Sequence, residues 1–250
     1  MSTRSGTLLG GRVRHAQADT GHRTGIEPVL LAASIAARPG SRVLEGGTGT
    51  GAALLCLATR IPGITGVGIE RDSDQAALAR QNMEANGLHG LEIVTADLTA
   101  PGALPAGLRF DHAMANPPWH HSAGTASSDL RQELARRARH GLFGAWIAAL
   151  ARPLRDRGSL TLVTSAASLP DCIAGLAAAG CGSITLLPLW PKAGREAKLI
   201  LLQAVKSGRG PARLLPGLVL HADGGNYTPA VELILREGAG LDWNVAGEGS

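Results

Sequence analysis

Residues 41–51 read SRVLEGGTGTG, and no other stretch of the chain says as much about its fold. A short apolar run leads to an acid, Glu45, and then to alternating glycines that end at Gly51. Residues 52–60, AALLCLATR, follow with helical spacing. Glycine allows a sharp turn and lets the backbone approach a ligand without a Cβ in the way. The stretch therefore predicts a strand, a ligand-binding glycine loop and a helix.

The rest of the chain repeats this alternation of strand and helix. Apolar strand patterns alternate with helical patterns of about 10–15 residues, which predicts an α/β fold with a mostly parallel sheet and helices on both faces. Seven strands are expected. The last two, SITLLPLW at 183–190 and AKLILLQAVK at 197–206, have no helix between them. This connection predicts one antiparallel strand at the edge of the sheet.

The ends of the chain are richer in glycine, proline and polar residues than the middle. Residues 1–25 are expected to form an N-terminal arm or a short hairpin, and residues 207–250 a C-terminal tail with a short helix. No linker or internal repeat separates the sequence into parts. Residues 1–250 are therefore expected to form one domain.

Composition excludes several classes of protein. The chain is 44% hydrophobic and 18% charged, which is enough to build a core and excludes wholesale disorder. Four Trp, two Phe and one Tyr are too few for the multi-ring platform of RNA-recognition domains. No apolar run has the length of a signal peptide or of a membrane span, so a cytoplasmic protein without a membrane partner is expected. The net charge of +4 permits a nucleic-acid partner without requiring one.

No metal site is predicted. Cys56, Cys172 and Cys181 are far apart and form no C-x-x-C pair, which argues against a disulfide framework and a four-thiolate zinc site. Cys56 and Cys172 lie on apolar helix faces and are expected to be buried and inert. His120 and His121 are adjacent, and adjacent loop residues rarely share one metal ion.

Two classes of ligand use a glycine loop of this kind. Dinucleotides bind with their pyrophosphate at the helix N-terminus, and S-adenosylmethionine binds there with its methionine and ribose parts. Gly47, Gly49 and Ala52 also satisfy the dinucleotide pattern G-x-G-x-x-A, and Glu70 at the next strand end could take ribose hydroxyls in either case. Glu45 favours the methyltransferase loop E-x-G-x-G-x-G, because a dehydrogenase usually has an apolar residue there. A P-loop is excluded because no G-K-[ST] follows.

Asn116-Pro117-Pro118-Trp119 follows the fourth expected strand, where open α/β sheets bind their ligands. An amino group conjugated with a base or an amide is a poor nucleophile, because its lone pair is delocalised. The Asn side-chain oxygen and a Pro carbonyl can each accept one of its N–H bonds, and the prolines hold these acceptors in place. Trp119 offers a flat face to a planar substrate. The turn predicts methyl transfer by positioning and oriented dipoles, without a general base.

Together these motifs resemble the class I S-adenosylmethionine-dependent methyltransferases with an N-P-P-[YFW] signature. The resemblance implies a Rossmann-like fold with a mostly parallel seven-stranded sheet, and S-adenosylmethionine as the cofactor. It also implies site residues. Glu45, Gly47, Gly49 and Gly51 would hold the methionine part, Glu70 the ribose hydroxyls, Asp97 and Leu98 the adenine, and Asn116 would serve both the cofactor and the reaction together with Pro117, Pro118 and Trp119.

The flanking segments are similar to one group within that class. GHRTGIEPVLLAA at 21–33 and HADGGNYTPAVELILR at 221–236 are similar to segments of the bacterial tRNA methyltransferases that modify adenine 37 of a valine tRNA. The resemblance implies methylation of the exocyclic amino group of adenine in RNA, with tRNA as the substrate. Glu27 stands where that group usually has Asp, and Trp119 where it has Tyr or Phe.

Basic residues near the motifs are candidates for contacts with RNA phosphates. Arg12, Arg14, His15 and Arg23 belong to the N-terminal arm, whereas Arg136 and Arg137 belong to a helix after the N-P-P-W turn. A solvated helix face explains the second group equally well. No oligomeric state is indicated.

Three alternatives stay open at this point. A protein glutamine amide methyltransferase of the release-factor type is the first alternative, because it uses the same Asn-Pro-Pro chemistry. Enzymes of that type usually carry a helical recognition domain before the catalytic one. A non-catalytic S-adenosylmethionine-binding scaffold would not need an intact Asn116-Pro117-Pro118. An NAD-dependent dehydrogenase leaves the N-P-P-W turn unexplained.

Overall fold

A computed structural model describes residues 2–19, 24–117 and 141–243 of the chain. Its N-terminal residues form an antiparallel hairpin of β1 (Thr3–Leu8) and β2 (Val13–Ala18). The large sheet contains β3 (Arg42–Gly46), β4 (Thr65–Glu70), β5 (Leu91–Thr95), β6 (Phe110–Ala115), β7 (Leu154–Ser165), β8 (Cys181–Trp190), β9 (Leu199–Lys206), β10 (Arg213–Leu214) and β11 (Leu218–Val219). The helices are α1 (Glu27–Ser34), α2 (Ala52–Arg60), α3 (Ser73–Ala85), α4 (141–151), α5 (Leu169–Ala178) and α6 (Pro229–Glu232).

The strand order brings the two sequence motifs to the same place. The large sheet runs β10-β8-β9-β7-β6-β3-β4-β5, with β11 also paired to β8. From β3 the chain adds β4 and β5 on one side, and it then returns to add β6 and β7 on the other. The carboxyl ends of β3 and β6 therefore meet where the direction of winding reverses, and such a crevice is where open α/β sheets bind ligands.

The position of the antiparallel strand differs from the sequence prediction. The antiparallel strand is β9, but it lies inside the sheet between β7 and β8 and pairs with both. Its run LILL buries Leu201 on one face of the sheet and Leu202 on the other, which suits a strand covered on both sides. The sheet continues beyond β8 with β10 and β11, two-residue strands parallel to β8. In the described residues the sheet therefore has nine strands rather than the expected seven, because these two short strands add to the seven long ones.

Two apolar clusters cover the faces of the sheet. One cluster joins α1, α2 and α3 to the sheet, and the other joins α4 and α5 to its opposite face. Side chains alternate between them along each strand, as Val43 and Leu44 do on β3. The predicted helices on both faces are thus confirmed. In the described ranges, no helix has both the length and the apolar character needed to cross a membrane.

Helices α2 and α3 begin and end where the local sequence indicates. Helix α2 spans the predicted residues and directly follows Gly51, whose φ of 86° is left-handed. Asp72 caps α3, because its Oδ1 accepts hydrogen bonds from the amides of Asp74 and Gln75. Gly87, with φ of 66°, follows the end of this helix.

The C-terminal tail packs against α1 and contributes to the core. Trp243 is 7% exposed, and its Nε1 donates a hydrogen bond to the Ser34 carbonyl at 2.6 Å. Val231 and Ile234 are buried in the same apolar cluster as α1. The region that composition marks as a tail therefore supports the face of the sheet that carries α1, α2 and α3.

Replacing Trp243 by Ala is expected to lower the free energy of unfolding by about 3 kcal/mol, because it leaves a large cavity and removes the donor to Ser34. Urea denaturation followed by circular dichroism measures this. Leu214→Ala is the matched control, since Leu214 is 72% exposed and its loss is expected to change stability by less than about 0.5 kcal/mol. Equal effects of the two changes would contradict a packed tail.

Candidate active site

The glycine loop takes a conformation that only glycine adopts readily. Gly47, Gly49 and Gly51 have φ values of 64°, 55° and 86°. A Cβ on Gly47 would lie 2.6 Å from Cη2 of Trp146, so this position has no room for a side chain. Apart from Gly49 and its two chain neighbours, no described atom lies within 4 Å of the place that a Cβ on Gly49 would take. The middle of the loop is therefore open to a ligand, whereas its start packs under Trp146.

Glu45 braces the loop from inside. It is 4% exposed, and its Oε2 accepts a hydrogen bond from the Thr48 hydroxyl at 2.5 Å. Burial raises the pKa of Glu45 to about 8, although hydrogen bonds from Thr48 and the Leu54 amide oppose the rise. The carboxyl group is therefore largely protonated at neutral pH, and a nearby cation would favour its ionised form.

Glu70 joins the end of β4 to the middle of the loop. One carboxylate oxygen, Oε2, accepts from the Gly49 amide at 2.9 Å, and the other accepts from the Asp72 amide at 2.9 Å. The acid that the sequence assigns to ribose hydroxyls thus lies in direct contact with the open part of the glycine loop.

Asp97 and Leu98 follow β5 and lie on the far side of Glu70. Asp97 is exposed, and its Oδ1 accepts from the hydroxyl and the amide of Thr99 at 2.7 and 2.8 Å. These bonds hold the pKa of Asp97 below its ordinary value, so it stays ionised at neutral pH. Leu98 is buried. Its side chain packs against Gly46, the residue before the loop, since a Cβ on Gly46 would lie 2.7 Å from Leu98 Cδ2.

Asn116 and Pro117 leave the sheet beside the glycine loop. The last residue of β6, Ala115, pairs with Gly46, the last residue of β3. Asn116 is half-buried and Pro117 is buried. In parallel neighbouring strands, the next residues on each chain emerge side by side, so the Asn-Pro pair starts next to Gly47. Pro118, Trp119, Arg23, Arg136, Arg137, His120 and His121 lie outside the described residues.

The basic residues of the arm have different surroundings. Arg14 is exposed on β2. The Arg12 guanidinium donates to the carbonyls of Leu9 and Arg236 at 3.3 and 3.4 Å, so it also links the hairpin to the C-terminal segment. His15 is 4% exposed, and burial lowers its pKa. The expectation that His15 contacts RNA is therefore wrong, since its ring points into the protein.

Three residues at the loop were missed as site residues by sequence reasoning. Trp146 packs over Gly47, His15 hydrogen-bonds through Nε2 to the Thr50 hydroxyl at 2.7 Å, and Asn82 donates to the Thr50 carbonyl at 2.9 Å. His15 and Trp146 are far from the glycine loop in sequence, and a lone Asn inside a helical pattern carries no local signal. Only their positions in the fold reveal them.

The cysteines and the possible metal ligands offer no second reactive site in the described residues. Cys56 and Cys172 are buried as expected, and burial raises the pKa of each thiol to about 12. Within residues 2–19, 24–117 and 141–243, no cluster of three or more His, Cys, Asp or Glu side chains could hold a metal ion.

A sheet of this order, with a glycine loop after β3, acids after β4 and β5, and Asn-Pro after β6, defines a Rossmann-like S-adenosylmethionine-dependent methyltransferase. The chain belongs to the methyltransferase small domain family, which matches residues 24–169. The predicted fold class and cofactor are thereby confirmed, and the dehydrogenase alternative is excluded. S-adenosylmethionine suits the loop, because the space beside Gly49 is open and the Glu70 carboxylate lies next to it.

Relatives with known names fall into this class. A tRNA1(Val) (adenine(37)-N6)-methyltransferase of Aeromonas hydrophila is 28% identical over 209 residues, which cover 82% of this chain and 85% of that protein. A release factor glutamine methyltransferase of Chlorobaculum tepidum is 32% identical over 109 residues, or 43% of this chain and 36% of that one. Among solved structures, a predicted O-methyltransferase from Agrobacterium tumefaciens has 27% identity and a TM-score of 0.70, and the match covers 88% of this chain and 100% of that one.

The buried Glu45 predicts a specific pH dependence of stability. Its pKa rises from the ordinary 4.5 to about 8 on folding, so the folded state binds more protons between these values. The free energy of unfolding is therefore expected to fall as pH rises through this window. Glu45→Gln cannot ionise, so the free energy of unfolding of wild type relative to this variant is expected to fall by roughly 3–4 kcal/mol from pH 5 to pH 8.

Urea denaturation of both proteins at pH 5 and pH 8, without cofactor, measures the difference. Asp97→Asn is the control, because the pKa of Asp97 is lowered and its titration lies below pH 5. Parallel pH curves for wild type and Glu45→Gln would contradict a buried, proton-binding Glu45.

Proposed function

We propose that this methyltransferase transfers the methyl group of S-adenosylmethionine to the exocyclic amino nitrogen of an adenine in RNA, with tRNA as the substrate. One observation carries methyl transfer to a conjugated amino nitrogen: Asn116 and Pro117 follow directly on β6, the strand that pairs with β3 at the start of the glycine loop. The likeness to a tRNA adenine methyltransferase over 82% of the chain supports adenine in RNA as the acceptor. The backbone at Asn116 and Pro117 therefore leaves the sheet beside the cofactor loop, which supports a role for the Asn side-chain oxygen and the Pro carbonyl in the reaction.

The described residues suggest how the cofactor is held. The backbone of Gly47, Gly49 and Gly51 would line the methionine part, and Glu45 would ionise against its ammonium group. Both oxygens of Glu70 accept hydrogen bonds from backbone amides, those of Gly49 and Asp72. On cofactor binding, Glu70 would accept hydrogen bonds from the ribose hydroxyls in place of one of these amides. Asp97 and Leu98, one ionised and one apolar, would receive the adenine. The bound cofactor supplies an electrophilic methyl group on sulfur.

The acceptor chemistry follows from the lone pair of a conjugated amine. Asn116 Oδ1 and the Pro117 carbonyl would each accept one N–H bond, which favours a pyramidal nitrogen with its lone pair toward the methyl group. Pro118 would keep the turn rigid, and Trp119 would stack on the base. After transfer, the methylated nitrogen releases a proton to water. This proposal requires no general base before the transfer, only alignment of nitrogen, methyl and sulfur.

A second candidate acceptor is a protein glutamine amide. The relative from Chlorobaculum tepidum favours it, but that likeness covers 43% of this chain. The likeness to the Aeromonas tRNA methyltransferase extends over 82% of the chain and supports RNA. Both acceptors are conjugated amino groups, so the Asn-Pro turn serves either one, and only the surfaces that bind the substrate distinguish them.

Contacts with RNA would come from basic residues of the hairpin and of the sequence that follows the N-P-P-W motif. Arg14 is exposed on the hairpin, and Arg12 is exposed near it. With Arg23, Arg136 and Arg137 they form our proposed set of phosphate contacts. Phosphate contacts position a nucleic acid and make its affinity depend on salt.

Asn116→Ala is expected to slow methyl transfer about 100-fold, because it removes the oriented acceptor of the amino group. The Kd for S-adenosylmethionine is expected to stay within about 3-fold, because the glycine loop and Glu70 would still hold most of the cofactor. The measurement is radiolabelled methyl transfer onto total RNA and total protein, followed by nucleoside and amino-acid analysis. Asn226→Ala, at an exposed turn, is the control.

Label in N6-methyladenosine supports the proposal, whereas label in glutamine would move it to the second candidate. A rate for Asn116→Ala equal to that of Asn226→Ala would contradict the role of Asn116.

The affinity for tRNA is expected to fall linearly on a plot of log K against log salt concentration, as counterions are released from the RNA. Arg14→Ala is expected to reduce the magnitude of this slope by about 1, the loss of one phosphate contact. Filter binding between low and moderate salt measures it. Arg109→Ala is the control, since Arg109 is exposed beside the start of β6, at the opposite end of that strand. A salt-independent affinity would refute an RNA substrate.

A further inference from the structure

The N-terminal hairpin is attached to α3 by two asparagines that each grip one residue of β2. Asn82 accepts from the Ala16 amide at 2.7 Å and donates to the Ala16 carbonyl at 2.9 Å. Asn86 accepts from the Arg14 amide at 2.9 Å and donates to the Arg14 carbonyl at 2.7 Å. Each side-chain amide thus satisfies both backbone groups of one strand residue, as a neighbouring strand would.

The spacing of the two grips follows from helix and strand geometry. Asn82 lies in α3 and Asn86 directly follows that helix, and four residues correspond to a rise of about 6 Å along a helix. Arg14 and Ala16 are two residues apart on β2, a distance of about 6.8 Å along the strand, and their outward backbone groups point the same way. The near match lets the end of α3 hold the strand at two points.

Only one of these grips extends to the cofactor loop. The Asn82 amide nitrogen also donates to the Thr50 carbonyl at 2.9 Å. From the hairpin side, Nε2 of His15 hydrogen-bonds to the Thr50 hydroxyl at 2.7 Å. Thr50 is therefore held at both its backbone and its side chain. The Asn86 side chain, by contrast, bonds within the described residues to Arg14 and to the Asn82 carbonyl, not to the loop.

The position of Thr50 makes this attachment consequential. It lies between Gly49 and Gly51, two glycines in left-handed conformations that have little intrinsic preference for their native φ. The bonds to Thr50 are well shielded, because His15, Asn82 and Thr50 are all buried. Buried hydrogen bonds have no water to replace a lost partner, so they hold their geometry firmly.

We propose that His15 and Asn82 are positioning residues of the cofactor site, which use the hairpin and α3 to hold the glycine loop in its S-adenosylmethionine-binding conformation. They act through Thr50 and need not touch the cofactor. The inference rests on the cofactor of this enzyme family and is independent of the proposed RNA substrate.

The test compares matched variants by calorimetric titration with S-adenosylmethionine and S-adenosylhomocysteine. Asn82→Ala is expected to weaken binding about 10-fold, because it frees the Thr50 carbonyl. Asn86→Ala removes an equivalent grip on the hairpin but none on the loop, and it is expected to stay within about 2-fold of wild type.

A second pair covers the case in which Asn82→Ala does not fold. Thr50→Val removes the hydroxyl that bonds to His15 while it keeps the side-chain shape, and it is expected to weaken cofactor binding by about 5-fold or more. Thr50→Ser retains the hydroxyl and is expected to restore most of the affinity. Amide hydrogen exchange at residues 49–51 in the cofactor-free protein should accelerate in Asn82→Ala and not in Asn86→Ala.

Equal affinities in all variants would overturn the proposal, as would an equal loss in Asn82→Ala and Asn86→Ala, which would reduce Asn82 to a hairpin anchor. An equal loss in Thr50→Val and Thr50→Ser would also overturn it. The RNA proposal is tested separately, since it fails when wild type binds the cofactor but labels no RNA.

Discussion

The hydrogen bond from the Gly49 amide to Glu70 Oε2 joins the two strands on which the cofactor site is built. Glycines have no side chains with which to hold a loop, and three of them here adopt left-handed backbone angles. The loop is therefore held by its neighbours: Glu70 from β4, the Glu45–Thr48 pair from inside, and Trp146 from α4. Each support comes from a different element of the fold, so the shape of the site depends on the assembled sheet.

The carboxyl groups around this loop have different electrostatic states. Burial keeps Glu45 largely protonated at neutral pH, whereas the Thr99 hydroxyl and amide keep the exposed Asp97 ionised. The inner group can respond to a cation that enters the site, and the outer one presents a fixed charge. The same chemical group, a carboxyl, is thus neutral in one position and charged in the other, and its burial and hydrogen bonds decide which.

Both ends of the chain reinforce the same face of the sheet. The hairpin docks on α3 through Asn82 and Asn86, and the C-terminal segment docks on α1 through Trp243. Composition alone describes these segments as an arm and a tail. In the folded protein they support α1 to α3, and the hairpin reaches the glycine loop itself. This is why residues far from the motifs in sequence bear on the cofactor site.

The glycine loop, the span of α2 and the alternation of strands and helices were all predictable, because backbone angles and apolar periodicity are local properties. The position of Asn116 and Pro117 directly after β6 followed from the same strand pattern. The interior position of β9, the burial of His15 and the packing of Trp146 on Gly47 were not predictable. These features depend on which surfaces meet after the chain has crossed the sheet: His15 and Thr50 are 35 residues apart, and Ser34 and Trp243 are 209 apart. No local pattern encodes such pairs, since each side chain acquires its partner, and with it its exposure and its pKa, only when distant elements pack together.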